Sequence, residues 1–236
     1  MPSFDDQVET AIPALFYMFA GSEDRQQSAD VSNVGTFTLP DPAGKAGGAC
    51  TSALLQVLYR DEDDEEIDLS WTETLDAMRE KIQEIGLPQV PQLSSSRLID
   101  VNEPMRIVPD DFDEEVNTKR AMLIGINYVG EKGELTGCHN DTRNMKDFLI
   151  QVCGFQRENM LILMDDGKHH EPTKEMIMSG FHKLAEISEP GDVIFIQFSG
   201  KYHVFAAVAE KRNSLFALCI EYARRVLLFD TALVSN

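Results

Sequence analysis

Apolar positions recur along this chain with two different spacings, and the change falls close to residue 119. Ala14–Ala20 is a short apolar run closed by Gly21, the pattern of a buried strand. Ser22–Gly48 is polar and rich in Gly and Pro, and reads as loop. Cys50, Leu54, Val57 and Leu58 then recur at helical spacing. Trp71, Leu75, Met78, Ile82 and Ile85 do so more regularly, with Ser70 placed to cap that helix and Gly86 to stop it. With a strand after the connecting Pro88–Pro91 segment, the first hundred residues read strand, loop, helix, helix, strand.

From Lys119 the pattern alternates. Ala121–Tyr128 is a β-rich run, followed by a helix with Met145, Phe148, Leu149 and Val152 inward, capped by Asn140 or Asp141. Met160–Met164 is a second strand, closed by Asp165-Asp166-Gly167. A second helix turns Met176, Phe181, Leu184 and Ile187 inward, and Glu189-Pro190-Gly191-Asp192 leads into a third strand, Val193–Phe198. Strand–helix–strand–helix–strand with short turns predicts parallel pairing through right-handed crossovers, hence an α/β layered fold.

Composition narrows the function. Of 236 residues, 43% are hydrophobic and 26% charged, an ordinary globular balance. No apolar run approaches the roughly 20 residues of a membrane-spanning helix. The start of the chain lacks the basic-then-apolar order of a secretory signal, so a soluble, cytoplasmic protein is expected. The net charge of −19 is uneven: residues 1–118 carry 7 Lys/Arg against 25 Asp/Glu, and residues 119–236 carry 14 against 15. So acidic a half repels phosphate backbones and anionic lipids, which excludes nucleic-acid and membrane-surface roles, while it suits basic partners. Asp61–Glu66 is a run of six carboxylates without the Gly, Asn or Ser that usually alternates with calcium ligands, and reads as a solvated inter-helix loop. Cys50, Cys138, Cys153 and Cys219 are scattered without a CxxC pair, and are read as reduced thiols.

Several segments carry a resemblance. Lys119–Leu149 (KRAMLIGINYVGEKGELTGCHNDTRNMKDFL) and Pro190–Gly200 (PGDVIFIQFSG) resemble the large subunit of metacaspases, caspase-like cysteine peptidases. Gly21–Val31 (GSEDRQQSADV), Gly48–Ser52 (GACTS) and Gln89–Ser96 (QVPQLSSS) resemble the small subunit, which here precedes the large one, as in a minority subgroup of the family. The resemblance implies a caspase-like layered fold with a mainly parallel sheet flanked by helices. It divides the chain into a small-subunit-like region (1–109), an acidic linker (110–118), the first part of the large-subunit-like domain (119–200) and a non-matching tail (201–236). It also implies peptide-bond hydrolysis after Arg or Lys by a Cys thiolate and a His that handles the leaving-group proton. Asp141 of the CHND turn matches a carboxylate at the bottom of the family's basic-residue pocket, and it is equally placed as a helix N-cap; the two roles are compatible. Asp24, Ser28 and Asp30 lie in the SAD segment that borders this pocket in the family, or serve only to organise the loop after the first strand.

The resemblance stops at Gly200. The family continues Ser-Gly-His-Gly, whereas this chain reads Ser199-Gly200-Lys201-Tyr202-His203. Lys201 therefore stands at the catalytic His position; a lysine at its ordinary pKa stays protonated at neutral pH and is no base. His203 sits two positions too late. Residues 201–236 contain no Gly, no Pro and no Asp-Cys-Cys-His-Ser-Gly motif, and their one thiol, Cys219, lies in an apolar segment. Neither the catalytic pair nor the family's calcium ligands, which mostly lie in the segment missing here, can be assigned. The chain is expected to be inactive as written: an incomplete member of an Arg/Lys-directed endopeptidase family, or alternatively a non-catalytic caspase-fold protein that binds basic peptides or a metacaspase partner. Without a fourth strand, the Val193–Phe198 edge would be left unpaired unless the tail supplies a substitute. Arg224–Phe229 is readable as strand or helix, and local disorder or a poorly supported helix is expected in the tail. Gly200-Lys201-Tyr202 can be encoded GGT-AAG-TAT, which contains a splice-donor pattern. The tail is thus expected to translate an unspliced intron, and the cDNA sequence across codon 200 decides the matter.

Overall fold

The structure, a computed structural model, describes residues 14–22, 29–33, 35–37, 39, 42–59, 68–201 and 225–230. Strand β1 (Leu15–Ala20) opens the chain's central sheet, and β2 (Asp30–Val31) and β3 (Gly47–Gly48) form a separate antiparallel pair. Helices α1 (Ala49–Leu58) and α2 (Trp71–Glu84) follow, then β4 (Gln92–Ser95). The second half runs β5 (Lys119–Gly125), α3 (Cys138–Gln151), β6 (Met160–Met164), α4 (Lys174–Ile187), β7 (Val193–Ser199) and β8 (Arg225–Asp230). The six-carboxylate run, Asp24, Ser28, His203 and Cys219 lie outside the described residues.

Six strands form one sheet in the order β4-β1-β8-β7-β5-β6. Only β4 runs antiparallel to its neighbour; the other pairs are parallel. Right-handed crossovers set the layers. The step from β5 to β6 goes one way through α3, and the step from β6 back past β5 to β7 goes the other way through α4, so the two helices fall on opposite faces. Met145, Phe148 and Leu149 of α3 accordingly pack with Leu123 and Phe195, on the face that also buries Trp71, Met78 and Ile82 of α2. Ile177, Phe181 and Leu184 of α4 pack with Met122, Ile124, Ile194 and Ile196 on the other. β7 is buried at all seven positions, which explains its unbroken apolar reading. Tyr17 stacks on Trp71 with ring centroids 4.2 Å apart, fixing α2 against β1.

The Ser70 cap is present as a reciprocal box: its hydroxyl accepts from Glu73 N, and Glu73 Oε2 accepts from Ser70 N. Gly86 follows the helix end at φ +75°, the left-handed geometry that terminates helices. Three expectations shift. The first large-half strand begins at Lys119 and ends at Gly125, because the Asn127–Val129 turn is pulled away by side chains described below. Val152 and Ile187 are exposed rather than inward, since each lies at or past the last turn of its helix. Arg225–Asp230 is neither disordered nor helical: it is a strand between β7 and β1, with Val226 and Leu228 facing the α4 side and Leu227 the other. A run apolar on both faces fits a central parallel strand, so the β7 edge is paired.

Candidate recognition site at the C-terminal edge of the sheet

Parallel strands deliver their C-terminal ends to one edge, and there α3 begins directly above the ends of β5 and β7. Neither Asn140 nor Asp141 caps it. The N-cap is Gly137, without a side-chain cap, and the amide of Cys138 instead donates to Asn127 Oδ1 at 3.0 Å. The capping group thus arrives from the turn after β5.

That leaves the Asp141 side chain for another task. It is fully buried: Oδ1 accepts from Gly48 N and Oδ2 from Ser199 Oγ, each at 2.8 Å. Gly48 is the N-cap of α1, so Asp141 supplies from a distant helix the bond that α1 lacks locally, and its charge faces the positive end of that helix. A Cβ at Gly48 would come within 2.7 Å of Asp141 Oδ2, so only glycine admits this approach. The flanking residues of α3 dock the same segment. Asn140 Nδ2 donates to Ala46 O at 2.8 Å, and Asn144 Oδ1 accepts from Ala43 N at 2.7 Å.

Asp30, on β2, comes to the same place. Its Oδ2 accepts from Thr136 N and Oγ1, at 2.7 and 3.1 Å. Its Oδ1 is buried without a hydrogen-bond partner, against Gly137, where a Cβ would meet it at 2.5 Å. Burial pushes the Asp141 carboxyl up to about 7; the Ser199 and Gly48 hydrogen bonds oppose this, and the Asp30 charge adds to it. No ion pair among the described residues reaches either carboxylate. The expected pair Asp30–Asp141 is therefore brought together, with one oxygen unfilled.

Ser199, Thr136 and the glycines 48 and 137 complete the site, and the sequence reading missed them. One signal was available: Gln197 and Ser199 interrupt the apolar VIFIQFS run at alternate positions, which puts both on one face.

The described thiols and imidazoles that could take part in bond breaking are placed as follows. Cys138 is buried; its thiol is pushed up first by burial and then by the Asp141 charge, with the Ser199 hydroxyl opposing. Cys153 is pushed up to about 12 by burial. His139 Nε2 lies 2.6 Å from Asp165 Oδ1. Lys201 follows β7: its amide donates to the Tyr128 hydroxyl at 3.1 Å, and its Nζ lies 4.4 Å from the Tyr128 ring centroid. No cluster of three or more His, Cys, Asp or Glu side chains arranged for a metal occurs among the described residues.

Comparison with known proteins fits this architecture. The sequence model of the family described as "Metacaspase, peptidase C14 domain" matches residues 119–230, from the first residue of β5 to the last of β8. A protein named Metacaspase III c, from Phaeodactylum tricornutum, is 48% identical over 198 residues, 84% of this chain and 58% of that protein. Metacaspase-1 of Pyricularia oryzae is 43% identical over 91 residues, 38% of this chain and 23% of its own length. Metacaspase-1 of Emericella nidulans is 45% identical over 84 residues, 35% and 21% respectively. The chain thus spans 58% of the Phaeodactylum protein and less than a quarter of each of the other two. With a caspase-like sheet, the family match over its second half and this identity across both halves, the chain belongs to the metacaspase family.

Proposed function

We propose that this chain carries the Arg/Lys recognition pocket of a metacaspase cysteine endopeptidase without the thiol–imidazole pair that hydrolyses the peptide bond. One observation carries the reading: two carboxylates converge at the end of the sheet, and one buried oxygen, Asp30 Oδ1, has no partner. A buried acceptor without a donor is costly, and a cationic side chain is the group that satisfies it and neutralises Asp141 behind it. The two acids divide the labour. Asp141 has both oxygens occupied and anchors α1 and Ser199, while Asp30 keeps one buried oxygen without a donor, against Gly137. Asp24 and Ser28 belong to the same segment as Asp30 and are assigned to the pocket on that ground.

Inactivity rests on chemistry. The described thiols with shifted pKa values are shifted upward, away from the thiolate that attacks a carbonyl, and the residue after Gly200 is lysine rather than histidine. Loss of both members of such a pair removes many orders of magnitude in rate. The same observations favour the non-catalytic reading as the working state of this chain: a binder of basic peptide segments or of a metacaspase partner. The division into a small-subunit-like region, residues 1–109, an acidic linker and a large-subunit-like region remains part of this proposal, with the pocket formed where the two regions meet.

An Arg-containing fluorogenic peptide, assayed with and without calcium, is expected to give no turnover; hydrolysis above a thiol-blocked control would overturn the inactivity. An Arg-containing peptide is expected to bind, and Asp141→Ala to weaken it by about tenfold or more, since the pocket loses both a charge and the group that orders it. Unchanged affinity removes the pocket assignment.

A further inference from the structure

We propose that a groove at the opposite, N-terminal edge of the sheet is a docking site for a basic peptide segment anchored by apolar side chains. The groove is separate from the Asp30–Asp141 pair, and the inference does not depend on the recognition reading above.

The groove opens where the two halves of the chain meet. Its volume is about 360 Å³, within the range of ligand-sized pockets, and it lies between the end of α1, the last turn of α3, the start of β5 and residues 105–108. The floor is apolar and buried, formed by Phe148 of α3 with Met105 and Ile107. Val152, more than half exposed, carries that apolar surface out to the lip. An apolar side chain laid here covers Val152 and packs on the floor, as anchor residues do at peptide interfaces.

Charge decides what must flank the anchor. Two cations line the groove, and both are engaged: Arg106 with Asp68 and Asp110, Lys119 with Glu114 and the Cys153 carbonyl. The cations lie inside and the acids outside. The side chains of Arg106 and Lys119 are 30% and 10% exposed, those of Asp68, Asp110 and Glu114 46%, 83% and 72%. Three carboxylates against two cations leave the rim acidic, and the carboxylates are what an incoming chain meets first. In the sequence, the acidic run Asp61–Glu66 stands between Leu58 and Asp68, both of which line the groove. Basic residues beside the anchor complement this rim. A second copy of this chain, itself at net charge −19, is repelled by it.

The test uses the full chain and a fluorescein-labelled peptide, Lys-Lys-Leu-Trp-Lys-Lys, followed by anisotropy. The peptide should bind, and replacing Leu-Trp by Gly-Gly should weaken it about tenfold or more, since the lysines alone leave the floor uncovered. Val152→Arg, at an exposed position that leaves the core intact, should weaken the Leu-Trp peptide by about tenfold through like-charge repulsion. A glutamate version, Glu-Glu-Leu-Trp-Glu-Glu, should bind at least about tenfold more weakly than the lysine one. Independently of any variant, the bound lysine peptide should slow amide hydrogen exchange in residues 105–108 and 148–153. Equal affinity for the Leu-Trp and Gly-Gly peptides, unchanged affinity in Val152→Arg, or no slowing of exchange in those two segments overturns the docking site. Equal binding of the glutamate peptide overturns the basic partner, and with it the proposal as stated.

Discussion

Two pairs of acidic residues sit at the same edge of the sheet, and their surroundings are opposite. Asp165 and Asp166 end β6 and are wrapped in donors. Asp165 accepts from the amides of Asn127 and Val129 and pairs with His139; Asp166 accepts from the amides of Lys168 and His169 and pairs with His169 and Arg143. Burial alone would raise both, yet these hydrogen bonds and charges hold both below the usual carboxylate range. Asp30 and Asp141 share an edge with them but have no cationic partner among the described residues, and one of their oxygens has no donor. A carboxylate that meets the amides of its own turn becomes structural, as Asp166 does with those of Lys168 and His169. One that meets a second carboxylate across elements separated by a hundred residues is left incomplete, and the proposed pocket rests on that incompleteness.

The largest effect that tests this contrast is on stability. Asp165→Ala leaves two backbone amides and the His139 ring without their acceptor at a mostly buried position, and is expected to cost about 3 kcal/mol in urea unfolding. A loss below about 1 kcal/mol would show that the β6 pair is not the structural one.

Asp141→Asn should move the other way. An asparagine keeps an acceptor for Gly48, can donate to Ser199 and removes the buried charge, so at pH 8 the variant should be more stable by about 1–2 kcal/mol. The sign with pH follows from the direction of each shift. Asp141 has a folded-state value raised to about 7, so the stability tied to its proton is complete below the unfolded value near 4 and lost as pH rises through about 7. The gap between the variant and the unaltered chain should therefore grow from pH 5 to pH 7 and then level off. Asp165 has a lowered value, so its contribution is present above the unfolded value and lost only as pH falls through the folded one. The cost of Asp165→Asn should not grow from pH 5 to pH 7 in that way. Parallel pH profiles for the two variants would erase the distinction between the pairs.

How far the sequence discloses this arrangement depends on the distance over which each interaction acts. β6 was legible to its ends, and so was the Ser70 cap, because both are decided within a few residues. The start of α3 was misread for the converse reason: its cap comes from Asn127, eleven residues upstream, and the partner of Asp141 lies ninety-three residues away. β8 was ambiguous because a strand buried on both faces shows no alternation, and a short apolar run suits either helix or strand. Asp141 and Asp30 are marked only by the resemblance to metacaspases; Ser199 sits in a run dominated by core residues, and the fold alone brings its hydroxyl to Asp141.

The smallest effect concerns Lys201, which the resemblance sets at the position of the family's histidine. Its Nζ lies over the Tyr128 ring and its backbone amide reaches the Tyr128 hydroxyl, so only the first contact depends on the side chain. Lys201→Met should cost about 0.5 kcal/mol, the scale of a partly exposed cation–π contact, and leave affinity for an Arg-containing peptide within about twofold. Lys201→His should give no hydrolysis of an Arg peptide, because an imidazole at that position has no described thiolate to work with: Cys138 is buried beside Asp141 with its thiol held protonated. If Lys201→His did release product, a nucleophile would have to stand within reach of β7, and the proposed inactivity would fail, while the contrast between the two acidic pairs would survive.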